Sequence, residues 1–311
     1  MTFSNNQKFI RNIIAVTLTA VLIVLSAAPA TFAASKPGSD YVQITEKPVK
    51  VGKYYYKQKF DERTYVNRVV RSAKKLSGYK TVVKDCYNAV TNGKIIYYLD
   101  TKNTYDSDGE FLYGTARLNR CSVTGNNKTV FRSLPKGKYK ENMWWIGVIK
   151  GNNILLTCSN ITAWKLWTYK YNVKSRNLKK VRDNCSIEDV SGNYVIAQGC
   201  YQSEAGPNKY TVYKITPSGN LKKVKYLGWL NNPSFVGKKL YYGRHKNGHL
   251  TWYRCNRNGS GTEKLGSVEL DDNAYNCGAY EYTSKYCKFT KPGGDYKFTY
   301  KTQAVKLIRK W

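Results

Sequence analysis

A short pattern, a glycine followed by small or basic residues and then an apolar or aromatic run, returns along almost the whole chain. It reads Val51-Gly52-Lys53-Tyr54-Tyr55-Tyr56, Asn92-Gly93-Lys94-Ile95-Ile96-Tyr97-Tyr98, Gly151-Asn152-Asn153-Ile154-Leu155-Leu156 and Gly192-Asn193-Tyr194-Val195-Ile196. It recurs as Val236-Gly237-Lys238-Lys239-Leu240-Tyr241-Tyr242 and, degraded, as Gly278-Ala279-Tyr280-Glu281-Tyr282. The glycines are 41, 58, 41, 45 and 41 residues apart. Such a period makes each unit one supersecondary element that buries its apolar faces only against its neighbours. A second pattern trails each glycine: an aromatic run carrying a base, a polar turn, then a short basic-apolar run. Residues 167–172 with Leu178-Lys179-Lys180-Val181, and residues 211–216 with Leu221-Lys222-Lys223-Val224, are examples.

Each unit therefore reads as four short strands. Strand A precedes the glycine (residues 144–149 and 186–190), strand B follows it, strand C is the aromatic-basic run and strand D the Leu-Lys-Lys-Val type run. Tyr, Val, Ile and Thr enrichment favours strands, and no helical stripe of useful length appears after residue 40. Four strands in about 40 to 45 residues mark a β-propeller blade. Residues 40–311 span 272 positions, about 45 per blade for six. The expected fold is all-β, a six-bladed β-propeller of four-stranded antiparallel blades. The 58-residue gap implies an insertion around residues 100–114. Ring closure has two solutions: residues 305–309 supply the last strand D, or residues 41–44 complete the final blade.

The spacing and the glycine-then-aromatic strand resemble the six-bladed TolB-like propellers, especially propeller-repeat proteins exported by Gram-positive bacteria. The resemblance covers nearly all of the chain after its leader. It implies a fold and no catalytic residues.

The leader is residues 1–33. Lys8 and Arg11 form a basic start, residues 13–25 an apolar run, and small residues lead to Ala33-Ala34, the anatomy of a secretory signal peptide. A run of 13 residues, with Thr17 and Thr19 inside it, falls short of the roughly 20 that a membrane span needs. The expectation is a signal peptide over 1–33, one propeller domain over 34–311, no transmembrane anchor after cleavage, and a secreted or cell-surface location. With 41% hydrophobic and 23% charged residues, 28 Tyr and 7 Trp, the chain buries a core, which excludes disorder. Its 52 bases, two of them in the leader, against 20 acids leave +30 on the exported part. The imbalance comes from scarce acids, not from a basic tail.

Propellers commonly bind ligands where loops converge on the channel. The loops entering strand A carry Asp85, Glu141, Asp183, Asp271 and Asp272 with Trp144, Trp145 and Trp229, a candidate ligand-binding mouth; the competing reading is turn carboxylates and packing tryptophans. Lys179, Lys180, Lys222 and Lys223, with Lys264, Lys306, Arg309 and Lys310, are expected at the outer rim. They read either as a belt for anionic polymers or as protection of exposed strand edges. Export makes nucleic acid a non-specific partner only.

All eight cysteines follow the leader, and an even number in an oxidising compartment favours some disulfides. Cys185 and Cys200 lie seven residues before and eight after Gly192, nearly opposite each other across a hairpin and within disulfide reach; Cys158 is the competing partner, and a free thiol the third reading. No CxxC occurs, and His245 and His249 have no cysteine at ligand spacing, so no metal and no cofactor are expected. Asp106-Ser107-Asp108-Gly109 has the start of a calcium loop, but Thr115 stands where the bidentate Glu belongs, so it reads as a polar turn. No Gly-x-Ser-x-Gly turn exists and neither histidine has a serine or cysteine partner, so no catalytic residue is assigned. The expected function is an exported, monomeric, non-catalytic binding or scaffold propeller contacting an anionic envelope polymer, glycan or protein. The alternative is a propeller glycoside hydrolase or lyase using a carboxylate pair about 5 to 9.5 Å apart drawn from the five acids above.

Overall fold

The computed structural model describes residues 41–61, 66–105, 111–135, 142–160, 165–199, 208–270 and 277–310. These contain strands and turns and no helix. After β1 (Val42–Ile44), strands β2 (Val49–Val51), β3 (Tyr54–Asp61), β4 (Val66–Ser72) and β5 (Lys80–Val83) form a four-stranded antiparallel meander. The next comprises β6 (Asn88–Thr91), β7 (Ile95–Tyr105), β8 (Phe111–Ser122) and β9 (Thr129–Ser133). It is followed by β10 (Asn142–Lys150), β11 (Asn153–Asn160), β12 (Lys165–Asn172) and β13 (Leu178–Asp183). Strands β14 (Ser186–Ser191), β15 (Tyr194–Gln198), β16 (Asn208–Ile215) and β17 (Leu221–Val236) continue without a break into β18 (Lys239–Lys246), β19 (His249–Asn256) and β20 (Glu263–Glu269). The first part of β17 pairs with β16, and its end, from Asn231, pairs with β18, so one strand closes one sheet and opens the next. The last meander is β21 (Gly278–Tyr282), β22 (Tyr286–Lys291), β23 (Gly294–Thr299) and β24 (Ala304–Lys310). The fold is a β-propeller.

The recurrent sequence pattern has two physical causes. The glycine opens a two-residue hairpin: Lys150 pairs with Asn153 around Gly151 at φ 54°, and Val236 with Lys239 around Gly237 at φ 61°. Glycine at the first central position of such a turn avoids the side-chain clash at positive φ. The apolar run that follows is continuous because strand B is covered on both faces, as Ile154 to Asn160 of β11 and Leu240 to Gly243 of β18 are buried throughout. Apolar clusters fill the space between successive sheets. Trp252, for example, lies between Phe289 and Phe298, with ring centroids 5.0 and 4.5 Å away.

The opening strands of successive sheets touch each other, β6 to β10, β10 to β14, β14 to β17 and β17 to β21, which puts them at the centre and the closing strands at the rim. Several of these central strands carry a β-bulge, at Gly147, at Glu188, between Asn231 and Ser234, and at Tyr280. At Gly147 a side chain would stand 3.1 Å from Ile187 of the neighbouring sheet, so glycine lets two central strands approach.

Of the two ring-closure solutions the first holds: residues 304–310 supply the last strand, and β1 pairs with β6 rather than with the final sheet. One expectation needs correction. Gly278 is not a turn glycine: it starts β21, and the turn falls at Thr283 to Lys285, where the Thr283 hydroxyl accepts from the Lys285 and Tyr286 amides and donates to the Tyr286 carbonyl. The insertion is a lengthened β7–β8 hairpin, paired out to Tyr105 and Phe111. The Asp106-Ser107-Asp108-Gly109 turn lies outside the described residues.

Candidate functional site

Of the expected mouth residues, Trp144, Asp183 and Trp229 have local structural partners. Trp144 is 1% exposed; its indole N–H donates to the Pro135 carbonyl at 3.1 Å and its ring packs 4.9 Å from Tyr169. It is a core residue, and its place as a ligand contact is withdrawn. Trp145, half-buried, stands opposite Thr157 on β11. Asp85 is exposed in a turn at φ 55° ahead of β6. Asp183, at the end of rim strand β13, accepts a hydrogen bond from Lys180 at 2.6 Å. Trp229 is 42% exposed on β17, with the Lys209 ammonium 4.9 Å from its ring centroid. Glu141, Asp271 and Asp272 lie outside the described residues.

The centre holds carboxylates that the sequence reading passed over. Asp189 of β14 is buried, and its Oδ2 accepts from Ser234 Oγ at 2.8 Å and from the Phe235 amide at 2.7 Å, while Oδ1 accepts from the Val190 amide at 2.7 Å. Burial outweighs these donors and lifts its carboxyl to about 6. Glu188, the bulged residue beside it, keeps some solvent access yet is crowded by protein. Burial raises its carboxyl against a hydrogen bond from Ser186, with the Asp189 charge adding to the rise. Asp100, the other buried aspartate, is held by Arg117 through two 2.9 Å bonds. Both aspartates are structural ties, so among the described residues Glu188 has no free carboxylate partner beside it, and no cluster of three or more His, Cys, Asp or Glu suited to a metal occurs among them.

The rim expectation is met in placement: Lys179 and Lys180 on β13, Lys222 and Lys223 on β17, and Lys264, Lys306, Arg309 and Lys310 are exposed on closing strands. Among the described residues few bases find a carboxylate; Lys180 with Asp183, Arg254 with Glu263 and Lys288 with Glu281 are the exposed or half-exposed pairs.

His245 stays structural. Its Nε2 lies 2.7 Å from the Cys277 carbonyl, and burial lowers its pKa against that contact. Cys86, Cys121, Cys158, Cys185, Cys255 and Cys287 are buried free thiols. Burial pushes Cys158 up to about 12 and Cys185 and Cys255 to about 11, which makes them unreactive. The bulge at Glu188 displaces the hairpin register by one residue, from Asp189↔Ile196 to Ile187↔Ala197 and Ser186↔Gln198. Carried one step further, this register sets Gly199 opposite Cys185. Cys200 itself lies outside the described residues.

No family model matches the chain, and no curated protein matches it. Among solved structures, an oligogalacturonate lyase in complex with manganese aligns with a TM-score of 0.54 and 9% identity, over 88% of this chain and 79% of the lyase. An acylaminoacyl peptidase in complex with Z-Gly-Gly-Phe-chloromethyl ketone gives 0.52 and 12%, over 81% of this chain and 43% of the peptidase, so the chain spans less than half of that enzyme. TolB from Acinetobacter baumannii gives 0.39 and 10%, over 81% of this chain and 62% of TolB. At such identities the likeness to the lyase and the peptidase is one of fold alone, and it agrees with the β-propeller read from the strand order.

Proposed function

We propose that this chain is an exported six-bladed TolB-like propeller of the Gram-positive type, acting as a non-catalytic binding or scaffold module at the cell surface. Its partner is an anionic envelope polymer, met first through the rim lysines. The supporting observation is the run of exposed bases on the closing strands, Lys179 and Lys180, Lys222 and Lys223, Lys264, Lys306 and Arg309, with few carboxylates to neutralise them. Protection of a strand edge needs a lysine or two; it does not call for a net +30 produced by scarce acids. Such a surface attracts polyanions at long range, and salt screens it. The leader of residues 1–33 puts the protein where envelope polymers are. The hydrolase or lyase alternative draws on Asp85, Glu141, Asp183, Asp271 and Asp272, of which Asp183 is paired with Lys180 at the rim; Asp100 and Asp189, each bonded to its own scaffold, add no free carboxylate to that set. Chromatography on an anionic cell-wall matrix tests the proposal: retention at low salt and release as the screening length falls to about 8 Å near 0.15 M support it. No retention at low salt refutes it.

A further inference from the structure

Strands β22 and β23 bury Cys287, Phe289 and Phe298 on one face against Trp252, and β24 is exposed along its length. Residues alternate across a sheet, so the intervening positions point the other way. There Lys288 stands directly opposite Lys297, and Lys297 directly opposite Lys306. Like charges directly opposed on neighbouring strands destabilise a sheet, and here three occur in a row. Glu281 meets Lys288 at 2.8 Å; Asp295, two residues from Lys297, stands opposite Arg309. Neither Lys297 nor Lys306 has a carboxylate within 4.0 Å among the described residues. The Lys297 ammonium lies 4.5 Å from the centroid of the Tyr286 ring. An open cleft of about 340 Å³ is lined by Tyr286, Lys288, Lys297, Lys306, Leu307 and Ile308. Leu307 stands opposite Tyr296 and so faces the other side of the sheet, while Ile308, in the bulge beside it, is 47% exposed, so the cleft has a cationic wall edged by one aliphatic side chain.

We infer that this cleft binds a phosphate group carried on a short carbon skeleton, the oxygens taken by the Lys297 and Lys306 ammonium groups, because Glu281 already accepts from Lys288 and from the Tyr286 hydroxyl, and the carbons resting on Ile308. Lysine ammonium groups act as point charges with freely rotating donors, which suits an oxyanion approached from several strands. The inference rests on the polyanion reading above and gives that surface a defined anchoring point. It names a phosphate, whether free or as a repeat of a polymer.

The test is calorimetric titration of the purified protein at low ionic strength with inorganic phosphate and, separately, with a poly(glycerol phosphate) oligomer. It compares wild type, the double variant Lys297→Gln/Lys306→Gln, and the rim control Lys179→Gln/Lys222→Gln. Each charge-assisted contact contributes roughly a factor of ten, so the first variant should weaken the oligomer by about tenfold or more and the control by less than about threefold. If inorganic phosphate binds as tightly as the oligomer and shows the same sensitivity, the site holds the free ion. Equal losses in both variants overturn the local site and leave the diffuse rim reading standing, whereas wild type that ignores the oligomer at low salt overturns both. Melting of the ligand-free protein gives a readout independent of any ligand. Lys297→Gln relieves the repulsion and should raise the midpoint; an unchanged or lowered midpoint refutes the idea that the ladder is held under strain for binding.

Discussion

Replacing Asp189 by alanine should lower the unfolding free energy by about 3–5 kcal/mol at neutral pH, because three neutral buried donors lose their acceptor. The carboxylate joins two central strands, because Ser234 and Phe235 belong to β17 and Asp189 to β14. Without it, the Ser234 hydroxyl and the Phe235 and Val190 amides lose their acceptor. A buried donor left unsatisfied costs about 1–3 kcal/mol; relief of the desolvated charge and rotation of the serine hydroxyl keep the total below the simple sum. The pH dependence has a definite sign. Burial raises the folded carboxyl to about 6 from an unfolded value of 3.8, so the folded state holds the proton more tightly. The stability this group contributes is complete below about pH 4 and is lost as pH rises through 6. Wild type should therefore gain about 1 kcal/mol between pH 7 and pH 5 from this residue, and the deficit of the alanine variant should widen by that amount. Urea unfolding followed by tryptophan fluorescence at both pH values measures it. A deficit under about 1 kcal/mol, or one that does not widen at pH 5, refutes the reasoning.

Other substitutions probe other parts of the account. Trp252→Ala should cost about 3–5 kcal/mol, since it empties the space between Phe289 and Phe298; denaturant midpoints read it directly. Arg117→Ala leaves the Asp100 carboxylate, 2% exposed, without its bidentate partner and should cost about 3–5 kcal/mol by the same measurement. Cys158, Cys185 and Cys255 should resist alkylation at pH 8 until the protein is unfolded, as their buried thiols titrate at about 11 or 12. Mass spectrometry after a brief pulse reports this, and non-reducing peptide mapping shows whether Cys185 is linked to Cys200.

The turn glycines and the buried B strands were legible because each reflects a local requirement, positive φ at Gly151 or Gly237 and cover on both faces of the following strand. The last unit was misplaced for the complementary reason: Thr283 closes its turn with a side-chain hydroxyl, so no glycine marks it. Counting residues from Gly192 set Cys185 opposite Cys200, and one bulged residue, Glu188, undid the count; nothing in the local composition announces a bulge. The burial of Trp144 depends on Tyr169 and Pro135, contacts that only tertiary packing creates. The lysine ladder was within reach of sequence reasoning, since Lys288 and Lys297 lie three residues on either side of the turn flanked by Lys291 and Gly294. It was missed because only closing strands were read as charged, and Lys288 and Lys297 stand singly on the two strands before the last.

The central claim, binding of an anionic polymer by a basic propeller surface, is tested most directly by the affinity of the purified protein for poly(glycerol phosphate) across a salt series. Counterion release, established for single-stranded nucleic acids, gives a slope of log affinity against log salt near −0.7 for each phosphate neutralised. Engagement of four or more of the exposed rim and cleft lysines should therefore produce a slope of about −3 or steeper. A slope near zero, or equal affinity for an uncharged glycan of the same length, would contradict the account.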